Sequence, residues 1–237
     1  MNCHLTSICR AAAMFGALSV TPAMLAHVPG ETSQLMKNTN SKPEAPGFVF
    51  SELSEDWWQW DISLPIPDNP TQTPSAPCTN GQSGKIWFLY GGPPTVNCTI
   101  EFGTFIFLPV VNAECSSVEA PPFHGDTAAQ RRACAQAWID NVANLAASVD
   151  GFAIHNFAPL RVRSGDFPFR APSDNILTGL GSPAVKGRSS ADGYYLFLLL
   201  PPGNHEIKVA ADIRDPFDPN HPVVFPLSTT IHLKVVR

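Results

Sequence analysis

Long apolar runs are missing from this chain, and so are clustered charges. After the N-terminal segment no stretch of about twenty residues is free of polar or breaking residues, so no membrane-spanning helix is expected there. Charged residues are only 15% of the 237, the formal charge is −5, and there is no basic run. Nucleic acid and anionic membrane surfaces, which are held mainly by clustered Lys and Arg, are therefore not expected partners. Catalytic signatures are lacking too. There is no Gly-x-Ser-x-Gly elbow, and Gly81-Gln82-Ser83-Gly84-Lys85 fails as a phosphate loop: Thr79 stands where its first glycine belongs, and Ile86 where Ser or Thr must hold magnesium. Cys-x-x-Cys pairs are absent, which argues against zinc.

What the chain does have is proline, with 24 residues, and this describes short strands joined by rigid loops rather than long helices. At the N-terminus His4 and Arg10 form a polar head before the apolar run Ala11–Val20, followed by Pro22 and small residues up to Ala26. This reads as an export signal over 1–26, with a polar tail over 27–47 that is expected to be flexible and a single domain over 48–237. Four cysteines lie past the signal: Cys78, Cys98, Cys115 and Cys134. An even number in an oxidising compartment predicts two disulfides. Four cysteines allow three pairings; Cys78 with Cys98 and Cys115 with Cys134 is favoured, since each bond closes a loop of about twenty residues.

Three of the five tryptophans fall within Trp57–Trp60, which suggests a ligand platform. Yet Phe50, Leu53, Trp57, Trp60 and Leu64 recur at helical spacing, so a helix is expected over 50–64, with Ser51 as N-cap and Pro65 as its stop. Only Trp58 falls off that stripe, and it is expected to stay partly exposed. Strands are read at Lys85–Tyr90, Asn97–Phe102 and Thr104–Val111, with Gly103 between the last two. A second helix is expected from Asp126 or Thr127 to about Ser148, its buried stripe including Cys134 and Trp138, with Arg131 off it. Short strands follow at 152–157 and 160–163. Residues 164–193 show no period and read as a long loop. Tyr194–Leu200, His205–Ala211 and Thr229–Val236 are strands, the last two with Ile207, Val209, Ala211, Ile231, Leu233 and Val235 facing inward. The sum is a mainly β chain, a two-layer β-sandwich of jelly-roll or immunoglobulin-like type with two helical additions.

Candidate sites are few. Arg161, Arg163, Asp166, Phe167, Phe169 and Arg170 combine guanidinium forks with aromatic faces at the mouth of the expected loop, groups that suit an anionic or sugar ligand. The bland alternative is a basic strand edge with Phe167 and Phe169 tucked into the core. Trp58 is added to this ligand-binding set. Asp212, Asp215, Asp218 and Asn220 form an oxygen-rich loop, but their spacing matches no calcium loop, and solvated turns are the better reading. Glu101, Glu114, Glu119, Asp166 and Asp192 are carboxylates that distant segments would have to pair for glycoside hydrolysis, and nothing selects any two.

The succession Trp57-Trp58-Gln59-Trp60, Cys78-x-x-Gly81-Gln82-x-Gly84, Trp87-Phe88-Leu89, Pro109-Val110-Val111-Asn112-x-Glu114-Cys115, Asp192-Gly193-Tyr194 and Pro202-Gly203-x-His205-x-Ile207 resembles an uncharacterised family of exported bacterial proteins. The resemblance implies an extracytoplasmic address and brings no activity. The expectation is thus a periplasmic or secreted binding domain without catalysis, its partner a glycan, an anionic small molecule or an envelope protein. A carboxylate-dependent hydrolase acting on polymer, and a structural envelope component, are the alternatives.

Overall fold

The computed structural model describes residues 44–45, 48–218, 220 and 222–237. The expected signal and all of the expected tail before Glu44 lie outside the described residues. The tail's last residues are paired: β1 (Glu44–Ala45) runs antiparallel to β2 (Phe48–Val49). The chain then enters α1 (Phe50–Ser63), the helix that the apolar spacing predicts. Its cap differs from expectation. Val49 is the N-cap and no side chain caps it, so Ser51 lies inside the first turn.

Ten further strands build two mixed sheets. One contains β3 (Ile86–Phe88), β5 (Phe105–Ser116), β10 (Val185–Leu198) and β8 (Arg161–Arg163) in that order, with β9 (Phe167–Ala171) also on β10. The other runs β4 (Thr95–Glu101), β12 (Val223–Val236), β11 (Gly203–Arg214), β6 (Val142–Val149) and β7 (Phe152–Ala153). Their inner faces supply Ile106, Leu108 and Leu196 from the first sheet and Ile207, Val209, Ile231, Leu233 and Val235 from the second, all buried in one cluster. The inward set expected for the last two strands is the observed one. This is a two-layer β-sandwich, held by β pairing that is mostly antiparallel, with parallel pairs at β3–β5 and β4–β12. Gly103 turns the chain from one sheet to the other at φ 90°, a backbone state that a side chain disfavours.

The two helices cover different faces of the first sheet. Ser54 of α1 bonds the hydroxyl of Tyr195 at 3.0 Å, and Trp57 Nε1 donates to the Leu89 carbonyl at 2.8 Å. On the opposite face α2 (Ala128–Asp140) is joined to β5 by Cys115–Cys134 and completes a second, smaller apolar cluster with Trp138, Ile139 and Ile213. Both disulfides, Cys78–Cys98 and Cys115–Cys134, follow the favoured pairing.

Three elements depart from expectation. Helix α2 starts as read, with Thr127 and Gln130 forming a reciprocal capping box, but it ends at Asp140. The expected continuation to Ser148 is strand β6, because Val142–Val149 lies beside β11 and the pairing outweighs the helix preference of its alanines and leucine. The expected loop 164–193 contains β9 and the first half of β10. Alternation is present there, with Phe167, Phe169 and Ala171 inward and Pro168 and Arg170 outward, and Pro168 is tolerated on an edge strand. Finally, β7 is two residues rather than the strand read over 152–157.

Candidate functional site

Strand alternation on β10 sorts its side chains onto two faces. Lys186, Arg188, Ser190, Asp192 and Tyr194 lie on the face that α2 partly covers. Register adds Arg170 opposite Lys186, Arg163 opposite Asp192 and Arg161 opposite Tyr194. The sequence-predicted residues Arg161, Arg163, Asp166 and Arg170 are therefore brought to one surface. Arg131 of α2, expected off the buried stripe, joins them as a buried residue.

Two carboxylates anchor this surface from below. Asp192, 2% exposed at its side chain, takes three hydrogen bonds from Arg161, two from its Nε and one from its Nη2, and one from Arg163 Nε at 3.2 Å. Arg161 also pairs with Asp140 at the end of α2 at 2.7 Å and stands over the Tyr194 ring at 5.8 Å. Hydrogen bonding to Asp192, then to Asp140, raises the Arg161 guanidinium further still, against burial. Asp166 bridges Arg131, at 2.7 Å, and Arg188. Burial alone would raise the Asp166 carboxyl, but its bonds from Arg188 and Arg131 together hold it below the usual carboxylate range.

The outcome is a layered charge distribution. The Asp192 and Asp166 side chains are 2% and 13% exposed, whereas Arg163 and Arg188 are 58% and 51% exposed. Carboxylates lie inside and guanidinium groups outside. Arg170 and Lys186 are exposed and have no hydrogen-bond or ion-pair partner among the described residues.

The aromatic members of the predicted set are elsewhere. Phe167 and Phe169 are buried on the α1 side of β9, so they are core. Trp58, expected to be partly exposed, is buried as well. Helix α1 is covered on more than one side: Gln59 donates to the Pro168 carbonyl at 2.8 Å and Glu55 accepts from Gly165 N at 2.8 Å, so β9 and the turn before it close over the arc left open by the first sheet. Ser54 is buried against Tyr195 of the first sheet, and Asp61 under the Asn69–Thr71 turn.

That face of the sheet also carries buried polar groups that residue types alone did not single out. Glu114 is 6% exposed and accepts from the Ser189 hydroxyl, and the half-buried Glu119 accepts from the Ser116 hydroxyl at 2.8 Å. Burial raises both, Glu114 well above the usual range, with the neighbouring Glu119 charge adding to it. Burial pushes the Tyr195 phenol up to about 12, while Ser54, Asn112 and Trp58 draw it down. Only a period-2 count placing Asn112, Glu114 and Ser116 on one face of a buried strand marks this set in the sequence.

An open groove of about 850 Å³ lies along β4, β12 and β11, lined by Asn97, Thr99, Asn204, Glu206, His232 and Lys234 among others. The Cys78–Cys98 disulfide lines it, but none of the expected ligand-binding residues does. The oxygen-rich run is spent on other bonds: Asp212 accepts across the β6–β11 pair from Asn144 at 2.6 Å, and within the loop Asp215 accepts from Phe217 N and Asp218 from Asn220 N, both at 2.8 Å. Among the described residues no three His, Cys, Asp or Glu side chains converge as a metal site, and no helix is long and apolar enough to cross a membrane.

No protein-family model matches the chain, and no curated protein matches it. Among solved structures, the solution structure of amebosin aligns with 65% of this chain and 100% of its own length, at 11% identity and a TM-score of 0.21.

Proposed function

We propose that this chain is an exported, non-catalytic binding domain whose exposed β8–β9–β10 surface beside α2 takes an anionic glycan. One observation carries the reading: Arg163, Arg170, Lys186 and Arg188 point outward while the balancing carboxylates lie beneath them. A chain with a formal charge of −5 thereby presents a cationic strip. Guanidinium forks on a rigid sheet suit carboxylate or sulfate groups spaced along a polymer. The two disulfides fit an oxidising compartment.

A carboxylate-dependent hydrolase would draw on Glu114 and Glu119. Neither lines the open groove along β4, β12 and β11, so this pair lends that reading little support.

The test is calorimetric titration with polygalacturonate, with neutral dextran as control. Binding at low salt that weakens as salt rises, and that falls about tenfold or more in the Arg170→Ala/Lys186→Ala double variant, is the expected result. Absence of polyanion binding, or equal binding by the variant, would overturn the proposal.

A further inference from the structure

The cationic groups of the strip are not equivalent. Arg170 and Lys186 have no partner among the described residues, and the Arg163 side chain makes a single bond, from Nε to Asp192 at 3.2 Å. Arg188 is held at both its backbone and its head. Ser117 N donates to the Arg188 carbonyl at 2.9 Å, and Arg188 N donates to the Ser117 hydroxyl at 3.1 Å. Packing beside it is close: a Cβ on Gly187 would come within 2.9 Å of Phe169 Cζ, Ser117 Oγ and Val118 Cγ1. One residue then grips the guanidinium, with Arg188 Nε donating to Asp166 Oδ2 and Nη2 to the Asp166 carbonyl.

Asp166 is itself fixed from beneath. Arg131, 4% exposed at its side chain, reaches Asp166 Oδ1 through Nε at 2.8 Å and Nη2 at 2.7 Å, and its Nη1 donates to the Gly125 and Asp126 carbonyls at 2.8 and 3.1 Å. The Ser190 hydroxyl donates to the same Oδ1 at 3.3 Å. Each carboxylate oxygen thus has its own guanidinium, the buried Arg131 on Oδ1 and the half-exposed Arg188 on Oδ2.

A guanidinium presents its donors in a rigid planar fork. In Arg188 the edge made by Nε and Nη2 is spent on Asp166, whereas the edge made by Nη1 and the second proton of Nη2 has no partner among the described residues, on a side chain that is 51% exposed. Two parallel N–H bonds match a carboxylate, and a fork fixed in advance loses less freedom on binding than a mobile one. We propose that Arg188 is the specificity-determining residue of the strip, taking one uronate carboxylate on its free Nη1–Nη2 edge, and that Asp166, backed by Arg131, is the residue that positions it. This rests on the anionic-glycan reading of the same surface. Arg163, Arg170 and Lys186 then supply long-range attraction, and Arg188 supplies geometry.

Calorimetric titration of the full chain with polygalacturonate at low salt separates geometry from charge. Arg188→Lys keeps the charge and loses the fork, and its affinity is expected to fall about tenfold, the scale of one hydrogen bond to a charged group. Asp166→Asn removes a negative charge from the strip, so electrostatics alone would tighten polyanion binding. Loss of positioning weakens it instead, by about threefold or more, the ordering cost of one mobile side chain. Equal or tighter binding by either variant overturns the proposal and leaves the glycan reading standing, whereas no binding by the parent overturns both. Nitrogen-15 NMR of the arginine Nε–H groups gives a readout without ligand. The Arg188 signal, assigned by its loss in Arg188→Lys, is expected to exchange with solvent more slowly than that of Arg170, and faster in Asp166→Asn than in the parent. Equal exchange at Arg188 and Arg170 in the parent overturns the proposal. Should Asp166→Asn fail to fold because Arg131 is left buried without its counter-charge, the Arg188→Lys titration and the parent spectrum decide.

Discussion

Lys186 and Arg170 stand directly opposite each other across the β10–β9 pair, both exposed, with no partner among the described residues. Like charges at facing positions destabilise a sheet by a few tenths of a kcal/mol to about 1 kcal/mol. Lys186→Glu would convert the repulsion into a cross-strand attraction. The expected outcome is a chain more stable to urea by up to about 1 kcal/mol and weaker in polyuronate binding. Thermodynamic stabilisation without loss of binding would separate the charge pair from the site.

Asp192 offers the opposite case. It is buried, and it holds Arg161 and Arg163 together in the sheet. Asp192→Ala leaves Arg161, 20% exposed, with only the more accessible Asp140 as a counter-charge. Removing one partner of a buried ion pair typically costs about 3–5 kcal/mol, and the exposure of Arg163 places the expected loss at the lower end of that range. Denaturant titration at two salt concentrations measures it. A loss below about 1 kcal/mol would mean that solvent replaces the carboxylate freely.

Trp57 tests the anchor of α1 on the first sheet. Its ring is buried against Trp58 and Trp60 at centroid distances of 5.0 and 5.7 Å, and its Nε1 donates to the Leu89 carbonyl. Trp57→Ala should cost about 3–5 kcal/mol, through the cavity and the unpaired carbonyl together. Equilibrium unfolding by urea reads the loss directly. Polyuronate binding by the folded fraction should be unchanged, because Trp57 is on the face away from the cationic strip.

Strong periodicity carried the parts of this fold that were legible in advance. Phe50, Leu53, Trp57 and Trp60 specify α1, and Ile231, Leu233 and Val235 specify β12, because each set lines one face at one period. Legibility failed where a neighbour decides the outcome. Asn144-Leu145-Ala146-Ala147 has helix-compatible residues and becomes β6 through its register with β11. Trp58 is off the apolar stripe and is nevertheless buried, since β9 covers α1 from the side. In the site, residue types drew attention to Arg161, Arg163 and Arg170, whereas Lys186 and Arg188 joined them only through the β9–β10 register. Phe167 and Phe169 share a segment with Arg170 but, by strand alternation, not a surface.

Asp61 gives the clearest pH dependence of stability. It lies at the end of α1, is 3% exposed, and accepts from Asn69 Nδ2 and Thr71 Oγ1, both at 2.8 Å. Burial raises its carboxyl to about 6, with those two bonds opposing. An acid raised on folding is stabilising when protonated. Its contribution is complete below the unfolded value of about 3.9 and is lost as pH rises through about 6. A shift of about two units corresponds to roughly 3 kcal/mol between those limits. Asp61→Asn keeps an oxygen for both donors and cannot ionise, so its stability should be flatter between about pH 4 and pH 7 than that of the parent and higher at neutral pH. Urea midpoints measured across that range check the slope. Parallel curves for the two proteins would assign the pH dependence to other groups and leave Asp61 as an ionised acceptor for the Asn69–Thr71 turn.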